Sequence, residues 1–390
     1  MYETTPPDDR RPLRIGMLGY AGMGKAHSNA YRTIPYIFWP GSFRPELAAI
    51  TGRTEAKVRE AATRYGFQRY TTDWRTVVED DEIDVFDNAG PDAMHVEPTL
   101  AAIDAGKHVA CEKPLALSAA DCERLYVAAE RRGVKHLACF NYRFLPAVRL
   151  ARELIEAGDL GEIREARFRY SQERGGDPEV SPWTAGTLNA IGCHVIDQAR
   201  FLVGEIATVS AVITSPVSDR RAERGIETGV RIDTVAMAVE FESGAPGLID
   251  TSSIATGRKN QLAWEINGSR GSVAWDLEDL NVLRVMRRGD RRLDGFAEVI
   301  VCEPWHPLAG VWWDTAHLLG WEHGHINMLA HFLDAVATGS PVGPYGATFH
   351  DGLRAARVSE AAVESARTGR RIEVPGTAAV AAAVTPARSA

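Results

Sequence analysis

The chain has no run of about 18 apolar residues, so no stretch of it reads as a transmembrane helix. It has no basic block either: 44 Lys and Arg stand against 52 Asp and Glu, for a net charge of −8. That balance argues against nucleic acid and membrane surfaces as partners. Cysteine is scarce. The five (Cys111, Cys122, Cys139, Cys193 and Cys302) include no C-x-x-C pair, and an odd, scattered set fits reduced thiols in a cytoplasmic protein rather than a disulfide framework. The opening M-Y-E-T-T-P-P-D-D-R-R lacks the apolar segment of a secretory leader, and residues 1–11 read as a disordered tail. The alanine-rich stretch 375–390 reads as a second, low-complexity tail. What is present is ordinary for a globular chain: 45% hydrophobic and 25% charged residues among 390, a length that suits two domains.

Strand and helix patterns alternate from 12 to 140. Apolar runs at 13–18, 46–50, 83–87, 107–111 and 134–139 predict strands. Helical spacing predicts helices from Lys25, over 56–65, 73–79 and 97–105, and from Ser118 to Gly133, the last opened by a capping box of Ser118 and Asp121. Residues 31–45, with Pro35, Pro40 and Pro45, are expected to form an inserted loop. This alternation builds a doubly wound parallel sheet, a Rossmann-type α/β domain. From 141 to 374 strands follow strands instead, at 163–173, 206–214, 233–241, 247–253, 261–266, 271–277 and 282–287, with hairpin signals at 243–246 and 267–270. One helix, 186–203, interrupts them, and two more are expected near 324–338 and 349–368. The order predicts an α+β domain with a large, open, mostly antiparallel sheet.

The first predicted strand runs into Gly19-Tyr20-Ala21-Gly22-Met23-Gly24 and then a helix. In that context a glycine-rich turn cradles a dinucleotide pyrophosphate at a helix N-terminus, although Ala21 stands where the middle glycine is expected. The second strand ends in Thr51-Gly52-Arg53-Thr54, without the acid that often holds the adenosine ribose. Arg53 either meets a 2′-phosphate or is a solvated charge, so NAD and NADP both stay open. The strand at 83–87 leads into a turn from Asn88 through Pro91 to His95, on the side where a cofactor lies; a lone histidine there is more often structural than catalytic. The next strand ends in Glu112-Lys113-Pro114, where open α/β sheets bind ligands, though the same tripeptide also reads as a solvated turn. His194 and Asp197 are three apart and share one helix face, as a structural pair or toward a cleft between domains. His317, His323 and His325 give no ligand set, because Glu322-His323-Gly324-His325 points alternately to different faces; no metal is expected. Of Trp183, Trp305, Trp312, Trp313 and Trp321, most are expected in the core and one or two in a pocket.

Taken in order, these motifs resemble the Gfo/Idh/MocA family of sugar and cyclitol oxidoreductases from Ile15 to about Ile372. The residues that carry the likeness are Gly19 to Gly24 with Lys25-Ala26-His27-Ser28, Asn88 to His95, and Gly106 to Pro114. They continue with Asn141-Tyr142-Arg143 and Pro146, Gly192 to Asp197, and Asp351-Gly352-Leu353. Gly19 to Ser28 and Trp321-Glu322-His323 look most like levoglucosan- and glycoside-oxidising members. The resemblance implies hydride transfer between C4 of NAD or NADP and a ring carbon bearing a hydroxyl. Lys113 is then the acid–base residue on that hydroxyl and Glu112 lies near the nicotinamide ribose. His194, Asp197, Asn141 and Arg143 are expected on the substrate, with His323 as a softer candidate. Gly19, Ala21, Gly22, Met23, Gly24, Arg53, Asn88, Pro91 and His95 are expected on the cofactor. A small carbohydrate is the expected partner. Relatives pair through the antiparallel sheet, so a homodimer or homotetramer is expected; Val235, Met237, Val239 and Phe241 offer either that apolar face or plain core.

The chemistry makes sense on its own terms. An alcohol must lose its proton as hydride leaves, so a base has to sit within about 2.6–3.2 Å. A free lysine is almost wholly protonated at neutral pH, so the role asks for a site that disfavours charge, by burial or by the positive nicotinamide. One position departs from the relatives: many carry an aspartate four residues before the histidine, and this chain has Ala190. Asn189 is about 100° around the helix and cannot replace it directly. Two alternatives therefore stand beside a dehydrogenase: a redox-assisted, NAD-dependent glycoside hydrolase on the same fold, and a catalytically impaired, cofactor-binding regulatory protein.

Overall fold

A computed structural model describes residues 10–173, 186–217, 232–289, 292, 294–376 and 380. Trp183 and nearly all of the two expected tails lie outside them. The first sheet is built from β1 (Arg11–Leu18), β2 (Phe43–Thr51), β3 (Arg69–Thr71), β4 (Val85–Asn88), β5 (His108–Cys111) and β6 (His136–Ala138). The order is β3-β2-β1-β4-β5-β6, every pair parallel. The order reverses between β1 and β4, which opens a crevice at the carboxyl ends of those strands. Helices α1 (Gly22–Ile37), α2 (Glu55–Tyr65), α3 (Arg75–Val78), α4 (Val96–Asp104) and α5 (Ala119–Arg132) make the crossovers. The capping box forms: Asp121 N–H donates to Ser118 Oγ at 3.1 Å, and Gly133 ends α5 with φ +71°.

Two details differ from expectation. The three-residue β3 was not foreseen; it is too short and too exposed to carry a pattern. The inserted loop expected over 31–45 shrinks to 38–42, since α1 continues through Pro35 to Ile37 and β2 starts at Phe43. Tyr31 and Ile34, both about 1% exposed, anchor that last stretch in the core, and their burial outweighs the hydrogen bond that proline forfeits.

The second part begins with α6 (Pro146–Glu156), whose proline sits harmlessly at the start of the helix. Then follow β7 (Ile163–Ser171), a π-helical turn at Leu188–Gly192, α7 (Cys193–Leu202), β8 (Ile206–Thr214), β9 (Thr234–Phe241) and β10 (Pro246–Ser252). The chain goes on through β11 (Gln261–Gly268), β12 (Gly271–Asp276), β13 (Val282–Arg287), β14 (Ala297–Ile300), α8 (Trp321–Thr338), α9 (Phe349–Thr368) and β15 (Ile372–Glu373). The nine strands lie in the order β14-β13-β12-β11-β7-β10-β9-β8-β15. All pairs are antiparallel except β7 with β10, so the sheet is mixed and mostly antiparallel. Val235, Met237, Val239 and Phe241 are core, each 5% exposed or less, so they do not form an open apolar face. Among the described residues no helix is long and apolar enough to cross a membrane.

One helix breaks the expected partition. α8 comes late in the chain but lies along α1, and its Ile326, Met328, Leu329, Phe332 and Leu333 share a core with Leu13, Ile15 and Met17 of β1. It therefore finishes the outer layer of the first sheet. Its N-terminal turn is delivered to the crevice.

Candidate active site

One cleft of about 1580 Å³ runs from the β1 and β2 tips to the second sheet. That is more room than a single small ligand needs. At one end lie Gly19 to Met23, Gly52 and Arg53; Gly90, Pro91, Glu112 and Lys113 follow; Asn141, Tyr142, Tyr170, Ala190, His194, Trp321 and His325 close the far end. Gly19 holds φ +105°, and a Cβ there would fall 2.4 Å from the Ala89 carbonyl oxygen. Only glycine allows that turn. Ala21, by contrast, is extended at φ −78°, so its methyl costs nothing and the departure from the glycine pattern is harmless. Gly24 does not line the cleft: its Cβ position lies 2.2 Å from Gly19 O, so it lets α1 close against the turn.

Glu112 and Lys113 leave β5 in opposite directions. Lys113 Nζ reaches the second domain and donates to the Ala190 carbonyl at 3.1 Å. The residue that lacks a carboxylate thus offers its backbone oxygen, from within the π turn that leads into His194. Glu112 turns inward. Its Oε2 accepts from Lys113 N–H at 3.1 Å and its Oε1 lies 3.2 Å from His27 Nε2. His27 Nδ1 meets Asp87 Oδ2 at 2.9 Å, and the Tyr31 hydroxyl donates to the same oxygen at 2.9 Å. Burial opposes charge on His27, but the Asp87 and Glu112 carboxylates outweigh it and hold the imidazolium up to about 10. Burial likewise opposes charge on Glu112, yet His27 and Lys113 bring it down to about 2. Sequence reading named His27 without giving it this role. Cys139 lies close enough to His27 and Glu112 for the three to bind a cation. Both nitrogens of His27 are engaged by carboxylates, which leaves no lone pair for a metal.

Two neutral imidazoles face the amine. His194 is 5% exposed; burial, reinforced by the Lys113 charge, pushes it well below the usual histidine range. Its Nδ1 has no hydrogen-bond partner among the described residues, and its ring lies 4.7 Å from that of Tyr142. His325 is pushed down to about 3, by burial and then by the His27 charge. Asn141 also leaves its buried Nδ2 without a partner. Beyond them runs a polar wall. The Tyr142 and Tyr170 hydroxyls are 2.9 Å apart, Tyr170 donates to Asn260 Oδ1 at 2.8 Å, and Trp321 Nε1 donates to Tyr142 at 3.4 Å.

Several expected contacts sit elsewhere. Arg143 and Asp197 do not line the cleft; they form a buried two-point ion pair, with Arg143 NH2 also 2.9 Å from Asp351 Oδ1. That guanidinium ties α7 to α9 instead of meeting substrate. His95 turns away as well, its nitrogens 2.7 Å from Pro114 O and 3.2 Å from Gly90 O. It pins the Gly90 turn to the strand end that carries Lys113. Asn88 spends its amide on Met94 O and Thr99 Oγ1, at 2.9 and 3.0 Å, and shapes the same turn from beneath. His323 accepts from Gly320 N–H at 3.0 Å, capping α8, and its ring lies 4.2 Å from that of Trp312. In each case the side chain is held by a partner within the protein, for Arg143 and Asp197 one distant in the chain and for His323 one three residues away. Tyr142, Tyr170, Asn260 and His325 were not foreseen in the site; they come from scattered elements and share no local signature.

Residues 13–140 match the NAD-binding Rossmann fold of an oxidoreductase family, and 152–374 match that family's C-terminal alpha/beta domain. The chain is 36% identical to levoglucosan dehydrogenase of Pseudarthrobacter phenanthrenivorans, over 93% of this chain and 98% of that protein. It is 28% identical to myo-inositol 2-dehydrogenase of Thermotoga maritima, over 72% and 80%. A solved levoglucosan dehydrogenase in complex with NADH and levoglucosan superposes with a TM-score of 0.88 at 35% identity, covering 94% of this chain and all of that one. Both halves of the fold and the cleft between them are thus accounted for together, and the chain belongs to the Gfo/Idh/MocA family of oxidoreductases.

Proposed function

We propose that the protein is an NAD(P)-dependent dehydrogenase acting on a secondary ring hydroxyl of a sugar, anhydrosugar or glycoside. The observation that carries this is the meeting of Lys113, from the strand end of one domain, with the helix start that holds His194 in the other. A dinucleotide fits: the tight turn that only glycine allows at Gly19 puts Gly19 to Met23 on the cleft wall, and the N-terminus of α1, which no side chain caps, opens there. Arg53 and Gly19 to Met23 are positioned for the adenosine and pyrophosphate, Pro91 and Glu112 for the nicotinamide end. Bound there, the nicotinamide supplies the hydride acceptor or donor.

Lys113, in its neutral form, takes the hydroxyl proton as the alcohol is oxidised and returns it in reduction. The Ala190 carbonyl orients that amine without adding negative charge. His194 stays neutral and hydrogen-bonds the same or the adjacent hydroxyl, while Asn141 offers its free amide to another. Tyr142, Tyr170 and Trp321 line the substrate end of the cleft. The relative solved with NADH and levoglucosan supports an anhydrosugar among the substrates. Residues 12–140 then serve the cofactor and 141–374 the substrate, with α8 shared between them. We further place the protein in the cytoplasm, as a homodimer or homotetramer. All five cysteines are free and buried, and the exposed Val212 and Leu248 stand on the outer face of the large sheet.

The test is a carbohydrate panel run with NAD and with NADP, followed by absorbance of the reduced ring. Turnover is expected, and Lys113→Ala is expected to lower it about 10²–10⁴-fold. Near-normal turnover in that variant removes Lys113 from the mechanism. Sugar released without net reduced nicotinamide replaces the dehydrogenase by the redox-assisted hydrolase.

A further inference from the structure

His325 is a buried ring of the cleft that the mechanism does not use. It is 2% exposed, lines the cleft, and neither ring nitrogen has a hydrogen-bond partner among the described residues. Buried polar atoms are rarely left that way, because their desolvation is uncompensated until a ligand arrives. We propose that His325 is a substrate-binding residue, which hydrogen-bonds a carbohydrate hydroxyl neighbouring the one that Lys113 deprotonates, on the Trp321 side of the cleft. This rests on the dehydrogenase function proposed above and specifies how its substrate is held.

Three observations place the contact on the sugar. His325 stands one helical turn after Trp321, with ring centroids 4.5 Å apart, so both share the face of α8 that meets the cleft. An indole stacks on the C–H face of a sugar ring while its neighbour reads the rim. The backbone is brought in by Gly324, where a Cβ would lie 3.1 Å from Asn141 O; the absent side chain lets α8 approach the turn that also presents the unpartnered Asn141 amide. The ring is also kept uncharged, first by its burial and then by the buried His27 imidazolium 5.6 Å away, centroid to centroid. A neutral imidazole donates from one nitrogen and accepts at the other. That pairing matches an alcohol, which does both, so the site suits a neutral polyol.

Binding of levoglucosan to the NADH complex, by calorimetry, tests this on the full chain. His325→Phe keeps the ring and removes both nitrogens. It is expected to weaken levoglucosan about tenfold and to leave NADH affinity within about twofold, with His325→Gln recovering part of the sugar affinity. Unchanged levoglucosan affinity in His325→Phe overturns the inference, as does an equal loss of NADH affinity, which would put the ring on the nicotinamide. Should His325→Phe not fold, His325→Leu, which also lacks both nitrogens, carries the test through steady-state kinetics. A loss that falls on KM more than on kcat supports the contact, and an unchanged KM refutes it. A wild-type protein that binds no member of the carbohydrate panel sinks the carbohydrate function itself, and this contact with it.

Discussion

At the scale of single residues, the site separates charge from neutrality over a few ångströms. His27 is held charged between Asp87 and Glu112, while His194 and His325 are held neutral. The pH dependence of stability follows. His27 rises from 6.5 to about 10 on folding, so its contribution is complete below about 6.5 and is lost as pH climbs through 10. Glu112 falls from 4.5 to about 2, so its contribution is complete above about 4.5 and is lost as pH drops through 2. His27→Gln is expected to abolish part of the alkaline loss. Thermal melts of both proteins from pH 6 to about 10 check it; parallel curves would dismiss the buried imidazolium. Ala190 invites the opposite experiment. Ala190→Asp sets a carboxylate beside Lys113 and favours the ammonium. The pH–rate profile for alcohol oxidation is expected to move its rising limb to higher pH. An unmoved profile would show that position 190 is electrostatically silent.

At the scale of elements, buried ion pairs join several of the helices beside their apolar faces. Arg143, from the turn before α6, bonds Asp197 on α7 and Asp351 on α9, and Arg200 and Arg354 share Glu205 in the same interior. The paired cations hold the Asp351 carboxyl well below the usual range, although burial opposes it. Arg143→Ala leaves the buried Asp197 carboxylate without its paired cation, while Asp351 keeps Arg200 at 3.4 Å, and is expected to cost about 3–5 kcal/mol. Urea unfolding measures this, and a loss below about 1 kcal/mol would mean that water reaches the cluster. Two substrate-binding residues expected from sequence, Arg143 and Asp197, are explained in this way: their partners lie far apart in the chain. The start of α5 was legible because Ser118 and Asp121 are three residues apart. The passage of α1 through Pro35 was not, because it depends on where Tyr31 and Ile34 find their core.

At the scale of the whole molecule, α8 makes the two domains one. It closes the first sheet's outer layer and carries Trp321 and His325 into a cleft whose other wall is the second sheet. Unfolding either domain alone would expose that shared core. NADH at 100 times its Kd is therefore expected to add about 2.7 kcal/mol to a single cooperative transition. Calorimetry with and without NADH decides it: two transitions of which only one responds would mean that the domains unfold separately.

What the sequence determined by itself is what local chemistry encodes. A tight turn needs glycine at Gly19, strand and helix periods announce parallel and antiparallel sheets, and Glu112-Lys113 ends a strand where such sheets bind ligands. Only the tertiary structure decided which polar side chains face the cleft. Burial removes water from all of them alike, and the partner each one then finds comes from a distant part of the chain. Arg143 and His95 found theirs within the protein; His194 Nδ1 and both nitrogens of His325 have none among the described residues, which is why they are proposed for a ligand.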